Sequence, residues 1–418
     1  MQNATDPHVL ILGGGFGGLW ATRALASVPV RVTLVDRTNH HLFQPLLYQV
    51  AMAGLSSPDI AAPLRHILRE QRNVSVRMDD AREIDVDARR VTLAHGSLDY
   101  DYLIVATGAR HTYFGHDGWS QFAPGLKTLD DAVLIRRRML QAFECAERES
   151  DPQRRAEWLN FVIIGGGPTG VELAGTLAEI AHHTLPREFR HSDPRSACVH
   201  LIEAGPRVLA SMPEVLSVKA RSQLERLGVS VQTGQAVTSI DETGVTLGDQ
   251  RISARTVLWA AGVAASPLGA QLGAERDRAG RVKVEADLSL RDHSEVFVIG
   301  DLASVVQNGM PVPSVAPAAK QMGAFVARSI CARMAKRTSP AFIYRDYGNL
   351  ATVGRKAAVV DLHGWRISGT LAWLFWLVAH IFFLIGFRNR LVVMIDWVWS
   401  YFTYQRNARI IIGSEPDE

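Results

Sequence analysis

His8-Val-Leu-Ile-Leu12 followed by Gly13-Gly-Gly15-Phe-Gly-Gly18 decides the fold. An unbroken apolar run that ends on glycines reads as a strand buried on both faces, as in a parallel sheet. The glycines open onto Leu19-Trp-Ala-Thr-Arg-Ala-Leu25, which starts a helix. In such a turn Gly13 allows a tight bend, Gly15 lets backbone amides approach a pyrophosphate, and Gly18 lets helix and strand pack closely. The helix N-terminus adds a positive dipole end. Alone, this pattern also fits a glycine-rich turn of another α/β protein. Val30-Arg-Val-Thr-Leu-Val-Asp36 narrows it, because Asp36 ends a second strand 18 residues past Gly18, where a ribose hydroxyl needs an acceptor. Gly13, Gly14, Gly15, Phe16, Gly17, Gly18, Asp36 and the adjoining Arg37 are therefore candidate cofactor-binding residues.

The arrangement recurs. Phe161-Val-Ile-Ile-Gly165-Gly-Gly167-Pro-Thr-Gly170 is followed by Cys198-Val-His-Leu-Ile-Glu203, a second strand ending in an acid, here 33 residues after Gly170. A longer helix and a loop rich in His and Pro, from His182 to Ser196, fill the difference. Tyr102-Leu-Ile-Val-Ala-Thr107-Gly108 and Thr256-Val-Leu-Trp-Ala-Ala-Gly262 stand at matching distances behind the two glycine turns, so the chain reads as a doubled unit. Thr107, Gly108 and Gly262 join the candidates, with Gly165, Gly167, Gly170 and Glu203. A carboxylate at Glu203 pairs with the free 2′-hydroxyl of NADH and repels the 2′-phosphate of NADPH, although Arg207 nearby keeps NADPH open. Glu172, expected in the first helical turn after Gly170, has a bland role in capping free amides and a functional one as an acid beside the cofactor. Val296-Phe-Val-Ile-Gly-Asp301 places Asp301 at a strand end, as a hydroxyl acceptor or a helix N-cap. Thr128 with Asp131 three residues on predicts the start of a helix that runs to Glu147 and crosses into the second unit.

At 418 residues the chain suits two or three domains. A net charge of +3 with 21% charged residues suggests no nucleic-acid partner. The charge is uneven: residues 331 to 409 carry eleven Lys and Arg against Asp346, Asp361 and Asp396, a net +8. Cys145, Cys198 and Cys331 form neither a redox pair nor a ligand cluster, so no metal is expected and a reducing compartment is the easier reading. The first residues leave no room for a secretion signal, and none is expected.

Gly13 to Gly18, Ala106-Thr107-Gly108, Gly165 to Gly170 and Ile299-Gly-Asp301 together resemble the two-dinucleotide-binding flavoprotein superfamily. The resemblance implies an α/β fold of glutathione-reductase type, two Rossmann-like dinucleotide-binding domains with non-covalent FAD in the first and NADH in the second. The longer strings Asn39-His-His-Leu-Phe-Gln-Pro-Leu-Leu-Tyr-Gln-Val50 and Gly165-Gly-Gly-Pro-Thr-Gly-Val-Glu172-Leu-Ala-Gly175 are similar to the bacterial type II NADH dehydrogenases. That likeness places Asp301 on the ribityl or phosphate part of FAD and Glu172 near the nicotinamide and flavin as the catalytic acid. The family's quinone motif, Ala-Gln-x-Ala-x-Gln, reads here Ala316-Pro317-Ala318-Ala319-Lys320-Gln321, with proline in place of the first glutamine. Proline removes an amide donor and a side-chain amide and suits the first turn of a helix expected over Ala318 to Arg333. Pro317, Ala318, Lys320 and Gln321 are the candidate quinone contacts, Lys320 or Gln321 taking over the polar one.

At the C-terminus, residues 371 to 387 form an apolar run of 17 residues, about 26 Å as a helix, which is borderline for a bilayer. Five of the nine tryptophans fall between Trp365 and Trp399, as expected of rings at lipid headgroups. Together with Tyr404, Arg388, Arg390, Arg406 and Arg409 this favours in-plane attachment to an anionic lipid surface over a span; a helical hairpin at a homodimer interface is the competing reading. The expected organisation is an FAD-binding domain from residues 1–127 and 271–335, a linker helix and NADH-binding domain at 128–270, and a membrane-attachment region at 336–418. The resemblance implies a non-pumping NADH:quinone oxidoreductase, peripheral on the cytoplasmic face of the cell inner membrane. A sulfide:quinone reductase using Cys145 or Cys331 and a non-catalytic NADH-sensing membrane flavoprotein are the alternatives.

Overall fold

The computed structural model describes residues 6–385, 387–403, 406 and 408–412. Tyr404 and the side chain of Arg388 lie outside the described residues. Two compact units divide the chain, each assembled from separated segments: Met1–Leu42, Ala61–Arg110 and Val263–Tyr347 form the first, and Phe43–Ile60, His111–Gly262 and Gly348–Glu418 the second.

The first unit is built on a five-stranded parallel sheet in the order Val296–Val298, Tyr102–Val105, His8–Leu12, Arg31–Asp36, Val74–Met78. Every residue of His8–Leu12 is buried, which explains why that run carries no alternation. Because this central strand has its sequence neighbour on one side and a later strand on the other, a crevice opens at its carboxyl end, where the glycine turn leads into the helix Phe16–Ala24. The helix Ala316–Met334 packs on Phe16–Ala24, and Gly323 permits it, since a side chain there would overlap the Gly17 carbonyl oxygen.

The second unit repeats the plan with Val229–Thr233, Cys198–Glu203, Asn160–Ile164 and Thr256–Trp259, all parallel. In both sheets the first strand is central, flanked by the second and the fourth. The expected linker helix is Leu129–Arg148, with a capping box in which Thr128 accepts from the Asp131 amide and Asp131 accepts from the Thr128 amide. A π-helical turn, Ile180–Thr184, leads into the loop from His182 to Ser196, which ends in a short 3-10 turn, Pro194–Ser196.

Two features exceed the sequence reading. An antiparallel sheet of Asn349–Gly354, Ala357–Leu362 and Trp365–Ser368 lays its first strand on the helix Pro168–Glu179. Gly175 makes that approach possible, because a Cβ there would overlap the Val353 carbonyl oxygen. The apolar C-terminal run is also broken: Thr370–Phe383 is a helix of 14 residues, and a second helix, Phe387–Thr403, follows. Among the described residues no helix is long and apolar enough to cross a membrane. The first of these helices is not apolar all round in use, since Ala372 and Trp376 are buried while Leu371, Val378 and Phe382 are exposed.

Candidate functional site: two glycine cradles and a buried acid

In the first unit Gly13 has φ +104°, a left-handed conformation that a side chain makes costly. A Cβ on Gly13 would overlap the Ala106 carbonyl oxygen, and one on Gly18 the Gly13 carbonyl oxygen. Gly15, by contrast, faces open space at the start of the helix. The turn is thus tight on the protein side and open on the side where a phosphate would approach. Asp36 is aimed at the same turn: its carboxylate accepts from the Gly14 amide (2.5 Å) and from the Thr38 amide and hydroxyl (2.7 and 2.8 Å). Arg37 is exposed. Asp301 lies within the short 3-10 turn Gly300–Leu302 rather than capping a helix.

Two buried polar atoms here have no hydrogen-bond partner among the described residues, the Thr107 hydroxyl and His41 Nε2. The Gly14 carbonyl can only accept, so His41 carries its hydrogen on Nδ1, which donates to it at 2.9 Å. Burial lowers the His41 pKa to about 4, so Nε2 is an acceptor at neutral pH. A hydroxyl and an acceptor left unpaired beside an open glycine turn fit a dinucleotide rich in phosphate oxygens and hydroxyls. Thr107 was among the expected residues; His41 was quoted only within a longer string, and its role depends on a long-range contact that spacing does not reveal.

The second cradle matches the first. Gly165 has φ +110°, a Cβ on Gly170 would overlap the Gly165 carbonyl oxygen, and Gly167 faces open space. Glu203 accepts from the Gly166 amide at 2.5 Å and from the Gly205 amide at 2.7 Å. Arg207 does not stand ready for a 2′-phosphate, because its guanidinium donates to the carbonyls of Met212 (2.7 Å) and Ala210 (2.9 Å). Gly262 packs under the Phe114 ring, which a side chain would strike.

Glu172 is not in the first turn, as expected from the sequence, but in the second turn of Pro168–Glu179, so amide capping is closed to it. It is only 9% exposed. Burial pushes its pKa well above the ordinary carboxylate value, and a backbone hydrogen bond from Thr352 offsets this only in part. Burial beneath the sheet that begins at Asn349 therefore favours the protonated form of this carboxyl. Tyr48, on the short helix Leu47–Ala51 that packs against the same helix, is likewise buried, and its pKa is raised by burial first and, where Glu172 is ionised, by that carboxylate as well.

The quinone-motif stretch begins the helix Ala316–Met334, with Pro317 in the first turn as expected and Ala318 buried. Gln321 donates to the Arg345 carbonyl (2.8 Å) and accepts from the Arg345 amide (2.9 Å), which commits both ends of its amide. Lys320 points elsewhere, with Nζ 4.9 Å from the Phe16 ring centre and 4.4 Å from that of Trp20. Burial lowers its pKa to about 8. The ring faces offset part of that desolvation, by about 0.5 to 2 kcal/mol each. Cys145, Cys198 and Cys331 are all free thiols, and burial raises that of Cys331, the wrong direction for a sulfur nucleophile.

Comparison with known proteins shows the family of the chain. The family model for pyridine nucleotide-disulphide oxidoreductases matches residues 7–323, and that for the NDH2 C-terminal domain matches residues 347–406. The type II NADH:quinone oxidoreductase Ndh of Mycobacterium tuberculosis is 45% identical, covering 98% of this chain and 91% of that protein. NdhA of the same organism, also a type II NADH:quinone oxidoreductase, is 44% identical over 97% of this chain and 89% of its own length. Among solved structures, NDH2 of Plasmodium falciparum in complex with NADH superposes with a TM-score of 0.89 at 19% identity, covering 98% of this chain and all of that one. The sulfide:quinone oxidoreductase of Aquifex aeolicus reaches only 0.72 at the same identity, over 95% of both chains. The chain belongs to the pyridine nucleotide-disulphide oxidoreductase family and, within it, to the type II NADH:quinone oxidoreductases.

Proposed function

We propose that this chain oxidises NADH and passes two electrons through non-covalently bound FAD to a membrane quinone. The observation that carries the reading is the pair of complete glycine cradles, each with its own oriented carboxylate. The first unit holds FAD with Gly13 to Gly18, Asp36, Thr107, Gly108 and Asp301; the second holds NADH with Gly165, Gly167, Gly170, Glu203 and Gly262. FAD, held by the first unit, would supply the hydride acceptor and two-electron donor, while the protein aligns the partners and supplies electrostatics. Glu172 holds a proton at its carboxyl for the reduced quinone. Lys320 provides the polar contact to a quinone carbonyl that Pro317 removes, because Gln321 is spent on Arg345.

Recording the flavin spectrum of the detergent-extracted protein tests this. NADH should bleach it, and a short-chain quinone should restore it. Bleaching by sulfide and not by NADH would overturn the reading in favour of a sulfide:quinone reductase. No quinone-linked turnover despite bleaching would favour an NADH sensor.

Cofactor choice follows from Glu203 and the occupied Arg207. NADH should be preferred to NADPH in kcat/KM, and Glu203→Ala should narrow that preference by about tenfold, the size expected when one repelling charge of about 1.4 kcal/mol is removed. Stopped-flow bleaching with both nucleotides measures it.

Attachment to lipid rests on the exposed apolar faces of the two C-terminal helices: Leu371, Val378 and Phe382 on one, Ile395, Val398 and Phe402 on the other. Patches of this kind on a surface mark docking to a membrane or a partner. Deleting residues 365 to 418 would be a poor test, since Trp365–Ser368 is paired into the sheet. The triple change Leu371→Glu, Val378→Glu and Phe382→Glu leaves that sheet alone and should release the protein from vesicles containing anionic lipid, with flavin retained. Unchanged sedimentation with the vesicles would refute attachment by this face.

A further inference from the structure

Quinone reduction by NADH consumes one proton beyond the hydride: NADH + H⁺ + quinone gives NAD⁺ + quinol. On the reading above Glu172 holds a proton, but a second buried oxygen acid, on the helix packed against that of Glu172 and within its electrostatic reach, has no role so far. We propose that Tyr48 is a proton-donating residue for the reduced quinone, its hydroxyl aimed by Gln49 and, through Gln49, by Trp397 of the C-terminal helix Phe387–Thr403.

The direction of the hydroxyl follows from hydrogen-bond chemistry. An indole N–H can only donate, and that of Trp397 lies 2.7 Å from Gln49 Oε1. This fixes which way the Gln49 amide faces, so its NH₂ group is turned to Tyr48 Oη at 2.9 Å. Tyr48 Oη is thereby an acceptor on that side, and its own hydrogen must be donated elsewhere. The ring is held as well: it is 4% exposed and stands edge-on to Trp376, with ring centres 6.4 Å apart. The ionisable groups that bear on Tyr48 are Glu172, Glu179 and Arg406. Glu179 is engaged by the Arg406 guanidinium at 3.4 Å and by the Arg355 amide, whereas Glu172 accepts a backbone hydrogen bond from Thr352.

The step balances without a further reagent. The Tyr48 O–H bond breaks as the quinol O–H bond forms, leaving a phenolate. A hydroquinone is itself a phenol, so donor and acceptor are of one chemical class; burial raises the Tyr48 pKa and makes Tyr48 the weaker acid, so the step is drawn forward by the return of a proton from the more acidic Glu172 carboxyl. Glu172 then returns a proton from its carboxyl to the Tyr48 oxygen, and the carboxylate regains one from water. The positive charge of Arg406 favours the transient phenolate.

This inference rests on the NADH:quinone reading, and the test separates the two. Failure of NADH to bleach the native flavin would end that reading; the Tyr48 assignment is judged on how electrons leave. Turnover is measured with a short-chain quinone, which takes up protons, and with ferricyanide, which takes electrons alone. Tyr48→Phe should lower kcat with the quinone by about 100-fold, within the usual range for a general acid, and ferricyanide turnover by less than about twofold, since no proton is needed there. Trp397→Phe frees the Gln49 amide to turn its oxygen to Tyr48 and capture the hydroxyl. It should cost about threefold or more with the quinone, and the double variant no more than Tyr48→Phe alone. In the unaltered protein, quinone turnover should slow by about twofold in D₂O. Equal losses with both acceptors, additive losses in the double variant, or no solvent isotope effect would each overturn the proposal.

Discussion

Gly18→Ala is expected to yield protein without bound flavin, whereas Gly170→Ala should yield yellow protein that NADH no longer bleaches. The two positions are equivalent in their cradles. In each, a methyl group would enter the carbonyl oxygen of the first glycine of its own turn, Gly13 or Gly165. Those glycines are held by φ values of +104° and +110° and by the carbonyls or Cα atoms of Ala106, Ala260 and Ala261, so the turn cannot retreat. The helix must instead lift away from its strand, at about 1 to 3 kcal/mol or more for overpacking. The lifted helix takes its N-terminal amides away from the phosphates. Each kcal/mol of lost contact adds to a shift already worth tenfold per about 1.4 kcal/mol, so binding at the affected cradle should fall by about 100-fold or more. The cradles belong to separate units, hence the expected split: flavin absorbance lost in one variant, NADH-driven bleaching lost in the other. Retention of flavin by Gly18→Ala with normal NADH response would contradict the assignment of FAD to the first unit.

What could be read from the sequence was local. The glycine turns, the acids closing Arg31–Asp36 and Cys198–Glu203, and the box between Thr128 and Asp131 each depend on residues a few positions apart and follow from backbone sterics and capping. What could not be read was set by contacts far apart in the chain. The segment Phe43–Ile60 is inserted in the first unit's sequence but folds with the second, and nothing in Gln44 to Val50 announces that the helix of Tyr48 will pack on the helix of Glu172. The strand Asn349–Gly354 covers the helix of Glu172 because Gly175 lets it, a fit visible only when both are in place. Gln321 likewise looked free to face a quinone; its partner is a backbone segment 24 residues on. The apolar run from Leu371 gave no sign of the break after Phe383, since hydropathy does not change there.

Glu172→Gln carries the second large effect, and it separates catalysis from stability. The acid is buried and its pKa is raised, so the folded chain keeps a proton that the unfolded chain has released above the ordinary carboxylate value of 4.5. Its contribution to stability is complete below that value and is lost as pH rises through the folded pKa, because ionisation leaves a charge in a desolvated site. While the proton counts differ by one, the loss amounts to about 1.4 kcal/mol per pH unit. Glutamine keeps the shape and cannot ionise. The native protein should therefore lose thermal stability from about pH 5 to pH 9 more steeply than Glu172→Gln, the variant being the more stable at the alkaline end. Over the same range the variant should reduce quinone about 100-fold more slowly, having no proton to return, while NADH still bleaches its flavin. Melting curves across pH, followed by flavin fluorescence, give the first result and quinone turnover the second. Parallel melting profiles would show that the carboxyl is already ionised, and with it the case for Glu172 as the proton reservoir would fall.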